Sequence, residues 1–207
     1  MHPQDKPKYP AGFSLVELLV VVAIIGILAA LAMGGLSNTV RSSKLTNTAQ
    51  RVADQINVAR QVAAARNLPV EVRFYKLPDF GQSTGAILYR GLQSFVTDGL
   101  TFTSPVSRPF LFPERVAIRE DSPLLTKIAT ITSTNFGIYN NVNYNAFIIK
   151  PNGIIDSGTS STITNQNYVT LQNWEKGGSL SSSVARPANY AVVMIDPVTG
   201  KVTILRP

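Results

Sequence analysis

Glu17 stands alone as the only charged residue in an otherwise apolar run, FSLVELLVVVAIIGILAALAMGGL, from Phe13 to Leu36. A carboxylate carried into hydrocarbon costs about 2.5–3.5 kcal/mol on insertion scales, so an intramembrane acid is a functional candidate by default. The rest of the chain offers little to catalysis. Cysteine is absent, which excludes disulfides, thiolate metal sites and cysteine nucleophiles. The only histidine is His2, which argues against a Ser/His/Asp triad, a histidine general base or a histidine metal site. The acids Asp79, Asp98, Glu114, Glu120, Asp121, Asp156, Glu175 and Asp196 are scattered, with no EF-hand spacing. Glu120-Asp121 reads as a solvated turn rather than a metal site. No Walker or Rossmann glycine motif occurs, so nucleotide chemistry would have to reside in a partner. The expectation is a chain with no catalytic residues, no metal and no cofactor, and no enzymatic activity.

Charge points to one further chemistry. The chain of 207 residues carries a formal +7, and Lys201 and Arg206 flank its last apolar run, Val202 to Leu205. A basic strand end is a candidate nucleic-acid contact, but phosphate binding normally needs a denser patch, and ordinary surface charge is the simpler account. The charged fraction is only 15%, against roughly 25% in ordinary soluble domains. Much of the deficit lies in the apolar run around Glu17.

That run needs an element to carry it. Residues 1–12, MHPQDKPKYPAG, are polar and hold three prolines, which remove amide donors and clash with a preceding helical turn. Residues 13–36 then reach roughly 36 Å as a helix, enough for a bilayer core of about 30 Å. Lys6 and Lys8 precede the run while Arg41 and Lys44 follow it, so charge bias orients it only weakly. Gly34-Gly35 falls where the run leaves its apolar zone, and each glycine costs about 1 kcal/mol in a helix interior. The pair suits either a flexible point or close helix packing. Beyond it, Leu45, Ala49, Val52, Ile56, Ala59 and Ala63 form one face of an amphipathic helix. The pattern ends at Asn67-Leu68-Pro69, since Pro69 disfavours helix in the residue before it.

After Pro69 the period changes to that of strands. Val70 to Phe74 alternates, and Ala86–Phe95, Ile128–Thr132, Ala146–Ile149, Tyr168–Leu171 and Tyr190–Ile195 are β-rich runs. Lys150-Pro151-Asn152-Gly153 and Asp196-Pro197-Val198-Thr199-Gly200 read as hairpin turns. Asn140 to Asn145 reads as a loop between strands, and Ser157–Asn167 and Gly177–Ser183 as polar loops. The expected fold class is α+β: a long N-terminal α-helix, transmembrane then amphipathic, packed on a mainly antiparallel β-sheet head. The expected organisation is a leader at 1–12, a transmembrane helix at 13–36, and an amphipathic helix at 37–68 that forms one domain with a head at 69–207.

Gly12-Phe13-Ser14-Leu15-Val16-Glu17, followed by an unbroken apolar run, resembles the class III signal of type IV prepilins and type II secretion pseudopilins. The passage Ile56 to Val70 is similar to the helix-to-strand connection of minor pseudopilin H and FimT-like proteins. The closing Tyr190 to Pro207 resembles the cassette protein D group of prepilin-like proteins from Verrucomicrobia-type bacteria. The middle of the chain carries no such likeness.

The resemblance implies a pilin-like fold, cleavage between Gly12 and Phe13 by a prepilin peptidase, and N-methylation of Phe13. It also implies a place in the bacterial inner membrane, single-pass with the head in the periplasm, and then in a filament. The partners would be other pilins or pseudopilins and an inner-membrane assembly platform. Cleavage would give Phe13 a free α-amine, cationic near neutral pH because α-amines titrate at about 7.7–8.0. Glu17 of one subunit would then meet the Phe13 amine of its neighbour, since a pair costs far less in low dielectric than two lone charges. In many pilins the helix melts near a proline in this region; here Gly34 and Gly35 stand in that place. Some FimT-like minor pilins take up DNA through basic C-terminal residues, which makes Lys201 and Arg206 the candidates for such a contact. Two readings stay open beside this one. The run could be an ordinary anchor, or a secretory signal cleaved after Ala30-Leu31-Ala32 that releases an adhesin.

Overall fold

A computed structural model describes residues 13–78, 87–97, 102–126, 130–156, 167–174 and 189–206, with the side chains of 31–37, 102–103 and 132–133 left aside. The leader at 1–12 and most of the two polar loops, at 157–166 and 175–188, therefore lie outside the described residues. The chain divides into two compact units, Met1–Val40 and Arg41–Pro207.

Helix α1 runs from Leu15 to Arg66. Its start is capped: Ser14 Oγ accepts the Glu17 N–H at 3.2 Å, and the Ser14 carbonyl accepts the Leu18 N–H at 3.2 Å. A serine at the N-cap with Glu three residues on is the pattern of a capping box. The other end closes on Asn67, held in the left-handed region at φ 52°, so that the Leu68 N–H reaches the Ala63 carbonyl at 3.3 Å. That six-to-one bond is the Schellman closure, and asparagine tolerates the left-handed turn better than most residues. Pro69 then prevents the helix from resuming.

The second unit is built on an antiparallel sheet. Its strands are β1 (Val70–Leu77), β2 (Leu88–Thr97), β3 (Phe102–Pro105), β4 (Phe110–Leu111), β5 (Val116–Ile118), β6 (Thr130–Phe136), β7 (Tyr139–Ile149), β8 (Ile155–Asp156), β9 (Tyr168–Asn173), β10 (Tyr190–Ile195) and β11 (Val202–Leu205), with a short helix α2 at Pro123–Thr126. They lie in the order β11-β10-β9-β5-β2-β1-β7-β6, with β3 and β4 beside β2 and β8 beside β7. Every pairing among the described residues is antiparallel.

One face of the sheet takes the amphipathic stripe of α1. Leu45, Ala49, Val52, Ile56, Ala59 and Ala63 are all fully buried, in one cluster with Val70, Val72, Phe74, Leu92, Phe147, Val169, Leu171 and Val193. The alanines let the helix approach the sheet closely, and the larger residues fill the space between strands. This is the pilin-like arrangement, a long N-terminal helix packed on a largely antiparallel sheet.

One expectation needs correction. Asn140 to Asn145 is not a loop but the first part of β7, the longest strand among the described residues. Asn140, Asn141 and Asn143 face solvent, while buried Asn145 accepts from Tyr89 at 2.8 Å and from Thr130 at 3.1 Å and donates to the Leu125 carbonyl of α2 at 3.1 Å. Val70–Phe74 forms β1 as its alternation implies, with Val70, Val72 and Phe74 in the cluster against α1. Glu71 and Arg73 are as buried as their apolar neighbours.

Their burial has a cause on the far face of the sheet. Arg73 donates through Nε and Nη2 to Glu71 Oε2 at 2.9 and 2.8 Å. Its guanidinium carbon lies 4.3 Å from the Phe95 ring centroid and 4.5 Å from that of Tyr144. Pairing and π-contact together make the buried charges tolerable. Tyr75, Leu77, Phe136, Val142 and Tyr144 form a small second core there. Gly91 admits it: a Cβ at that position would sit 2.8 Å from Phe136 Cζ.

Candidate functional site

The N-terminal site is assembled by the first turn of α1. Phe13 is 81% exposed, and Leu15, Val16, Leu18 and Leu19 are each exposed by more than half. Ser14 holds the turn in place, and Glu17 stands in that same turn at the helix N-terminus. There the orphan amide groups and the positive end of the helix dipole favour a carboxylate. Among the described residues Glu17 has no ion-pair partner. What the geometry presents is an apolar helix with one anion at its tip, one turn from Phe13. Gly12, the residue ahead of the expected cleavage point, lies outside the described residues.

The apolar surface continues along the first unit. Val20, Val21, Val22, Ile24, Ile25, Ile27 and Leu28 are exposed by 47% or more. Gly26 has open space around its Cα. Helix α1 passes through Gly34 and Gly35 without a break. Among the described residues no helix is long and apolar enough to cross a membrane. The described side chains of the apolar run stop at Ala30, six residues short of its end at Leu36.

Lys201 and Arg206 fall at opposite ends of β11 and do not meet. Lys201 lies where the β10–β11 turn closes, its carbonyl accepting the Asp196 N–H at 2.8 Å. Arg206 is committed to the fold. Its guanidinium donates to Thr46 Oγ1 and Ser42 Oγ on α1 and to Asn189 Oδ1 beside β10. These bonds tie the last strand to the helix.

The β10–β11 turn is organised by Asp196, whose carboxylate accepts the N–H groups of Val198 at 2.9 Å and Thr199 at 2.8 Å. Those amide bonds hold its pKa below the usual carboxylate range. Arg60 of α1 donates to the Thr199 carbonyl at 3.1 Å, and the Ile155 N–H donates to the Pro197 carbonyl at 3.1 Å. The two hairpin turns are thus fastened to each other and to the helix. Gly153, at φ 84°, and Gly200, at φ 65°, sit at this contact. A Cβ on Gly200 would lie 2.9 Å from the Gly153 carbonyl oxygen.

Sequence reasoning missed the partners of several charged side chains. Asp121 is bound by Arg119 through bonds of 2.8 and 2.9 Å, and Glu120 by Lys76 at 3.3 Å, so this acid pair is built into ion pairs. The Asp121 bond raises the pKa of Arg119. Arg119 also donates to Gln172 Oε1 at 3.2 Å, which joins this corner to β9. Among the described residues no group of three or more His, Cys, Asp or Glu side chains is placed to hold a metal ion. The one signal in the sequence for these pairs was an arginine two residues from an acid, in Glu71/Arg73 and again in Arg119/Asp121.

Residues 7–33 match the family model described as the prokaryotic N-terminal methylation motif. Neither the curated proteins nor the solved structures give a significant match. The matched segment contains Gly12, Phe13 and Glu17, and it ends before the sheet begins. The chain is therefore prepilin-like at its N-terminus, and the class III signal implies processing by a prepilin peptidase and anchoring in the inner membrane.

Proposed function

We propose that this prepilin-like chain is a minor pilin or pseudopilin, a structural and assembly subunit of a type IV pilus or a type II secretion pseudopilus. One observation carries the reading: a methylation motif with Phe13 just ahead of, and Glu17 within, the first turn of a helix whose later part is the spine of a pilin-like head. A prepilin peptidase cuts between Gly12 and Phe13, and the new amine is methylated. The subunit waits in the inner membrane with its head in the periplasm. An assembly platform then transfers the helix from lipid into a bundle of like helices.

Glu17 governs that transfer. Its carboxylate meets the cationic Phe13 amine of the neighbouring subunit, so both charges are paired where water is excluded. The apolar side chains from Leu15 to Leu28 pass from acyl chains to neighbouring helices, which changes their partners without exposing them to water. Gly34-Gly35 lowers the cost of loosening the helix during the transfer.

N-terminal mass spectrometry of the mature protein tests the reading, with methylated Phe13 as the expected first residue. A start at Met33 would establish signal-peptidase release and the adhesin reading instead. Gly12→Val should leave full-length precursor in the membrane. The DNA-uptake reading gains no support from Arg206, whose guanidinium already bonds Thr46, Ser42 and Asn189.

A further inference from the structure

Beside the buried stripe of α1 runs a second stripe made of Lys44, Asn47, Thr48 and Arg51, at the i, i+3, i+4, i+7 spacing of one helix face. With Phe110, Leu111 and Pro113 it lines an open cavity of about 320 Å³. The Arg51 guanidinium lies 5.4 Å from the Phe110 ring centroid, which holds it against the apolar wall. Thr48 spends its hydroxyl on the Lys44 carbonyl at 2.7 Å, so it shapes the floor and offers no free donor. Lys44, Asn47 and Arg51 are exposed. Among the described residues neither cation has a carboxylate partner. Glu114, next to Pro113, pairs with Arg115 at 3.7 Å instead.

Resting on the filament reading above, we infer that this cavity docks an acidic segment of a neighbouring filament subunit, with an apolar side chain against Phe110, Leu111 and Pro113 and carboxylates facing Lys44 and Arg51. The two cations leave the helix seven residues apart, roughly 10 Å along its axis. Arg51 is held against the Phe110 ring, so the spacing suits two anions better than one. The matching surface carries two anions with an apolar group between them, as an acidic helix face or strand does. Removing a cation from such a contact also leaves an anion facing it unpaired, so loss of either one is felt by both partners.

The experiment uses the full-length chain in cells that assemble the filament, with a photo-crosslinking phenylalanine analogue in place of Asn47. The expected adduct joins position 47 to another prepilin-like subunit, at a peptide holding two acids. Lys44→Glu and Arg51→Glu should each lower filament incorporation about tenfold, while cleavage and membrane level stay unchanged. Arg51→Lys should retain most incorporation, and reversing the charge of the mapped acid should restore Lys44→Glu. Lys44→Glu is the control for folding, because the Lys44 side chain has no partner among the described residues to lose. Normal incorporation of both reversals, or adducts to lipid alone, would overturn the inference. Glu17→Val separates the two levels. Its exclusion from filaments while both reversals enter normally sinks the docking site and leaves the filament reading intact. If the wild-type chain itself is absent from filaments, the filament reading falls and the docking site falls with it.

Discussion

The same helix meets two different solvents. From Leu15 to Leu28 it carries Leu, Val and Ile on all sides, and nearly every one is exposed by about half or more. From Leu45 to Ala63 it carries one apolar stripe, half of it alanine, and each of those residues is fully buried against the sheet. The first segment has no protein core of its own, so its stability comes from whatever covers it, lipid or other helices. The second has brought its cover along in the same chain. Pattern follows cover: apolar side chains on all sides where the partner is fluid or exchangeable, a single stripe of mixed large and small ones where a fixed sheet lies close.

The sharpest way to break this contrast is at the tip of the first segment. Glu17→Val makes that segment uniformly apolar, so it should insert at least as well as the wild type and be cleaved normally. An unpaired buried charge commonly costs 3–5 kcal/mol, so the variant should all but vanish from the sheared or cross-linked filament fraction. Glu17→Asp keeps the charge with a shorter reach and should fall between. Equal incorporation of wild type and Glu17→Val would mean that the carboxylate has no part in assembly.

A matched pair of isoleucines tests the two kinds of cover directly. Ile56→Ala opens a cavity in the fixed core and should destabilise the head by about 2–5 kcal/mol. Ile24→Ala, 51% exposed in the wild type, should leave the head within about 0.5 kcal/mol. Thermal unfolding of the full-length protein in detergent, followed by near-ultraviolet circular dichroism of the head aromatics, reads both. Similar losses would show that the first segment stabilises the head after all.

A smaller effect is expected at the hairpin contact. Gly200→Ala forces a side chain into the left-handed region and against the Gly153 carbonyl, for a loss of about 1–3 kcal/mol. At about 2–4 °C per kcal/mol for a chain of this size, the melting shift is measurable. Smallest at neutral pH is the effect of the second core. Burial pushes the Tyr75 hydroxyl up to about 12, from 10.0. Its folded pKa lies above its unfolded one, so the stability it contributes is whole below pH 10 and is lost as pH rises toward 12. Tyr75→Phe should flatten the loss of head stability over that window, read as midpoint against pH in urea titrations.

How much of this could be read beforehand depended on whether a signal was local. The stripe from Leu45 to Ala63 was legible because helix period and burial are two statements of one geometry. The turns at Lys150–Gly153 and Asp196–Gly200 were legible because proline, asparagine and glycine constrain their own backbone. The N-cap at Ser14 was present in the serine-to-glutamate spacing and went unread beside the stronger cleavage signal. Asn140 to Asn145 does not look like a strand because Asn145, its buried asparagine, is satisfied by residues brought in by β2, β6 and α2, none of them local. Burial of Arg73 depended on Phe95 and Tyr144 arriving from two other strands, which no periodicity in β1 encodes. Of the candidate site, Glu17 could be singled out because a charge in an apolar run is conspicuous alone. Arg206 could not be placed, because its partners on α1 lie 160 and 164 residues earlier.

That last separation has a consequence for the order of events during synthesis. The helix face that β9 and β10 cover leaves the ribosome long before those strands do, and Arg206 latches onto Thr46 only at the end. At about 5–20 residues per second, the interval between the two is on the order of ten seconds or more. Throughout it, the stripe from Leu45 to Ala63 is open to any passing apolar surface. Contacts of such long range also close slowly once the chain is complete. The head is therefore completed only after the last strand has been made. A nascent chain stalled before β9 would present an unfinished sheet and a naked helix, an open invitation to aggregation.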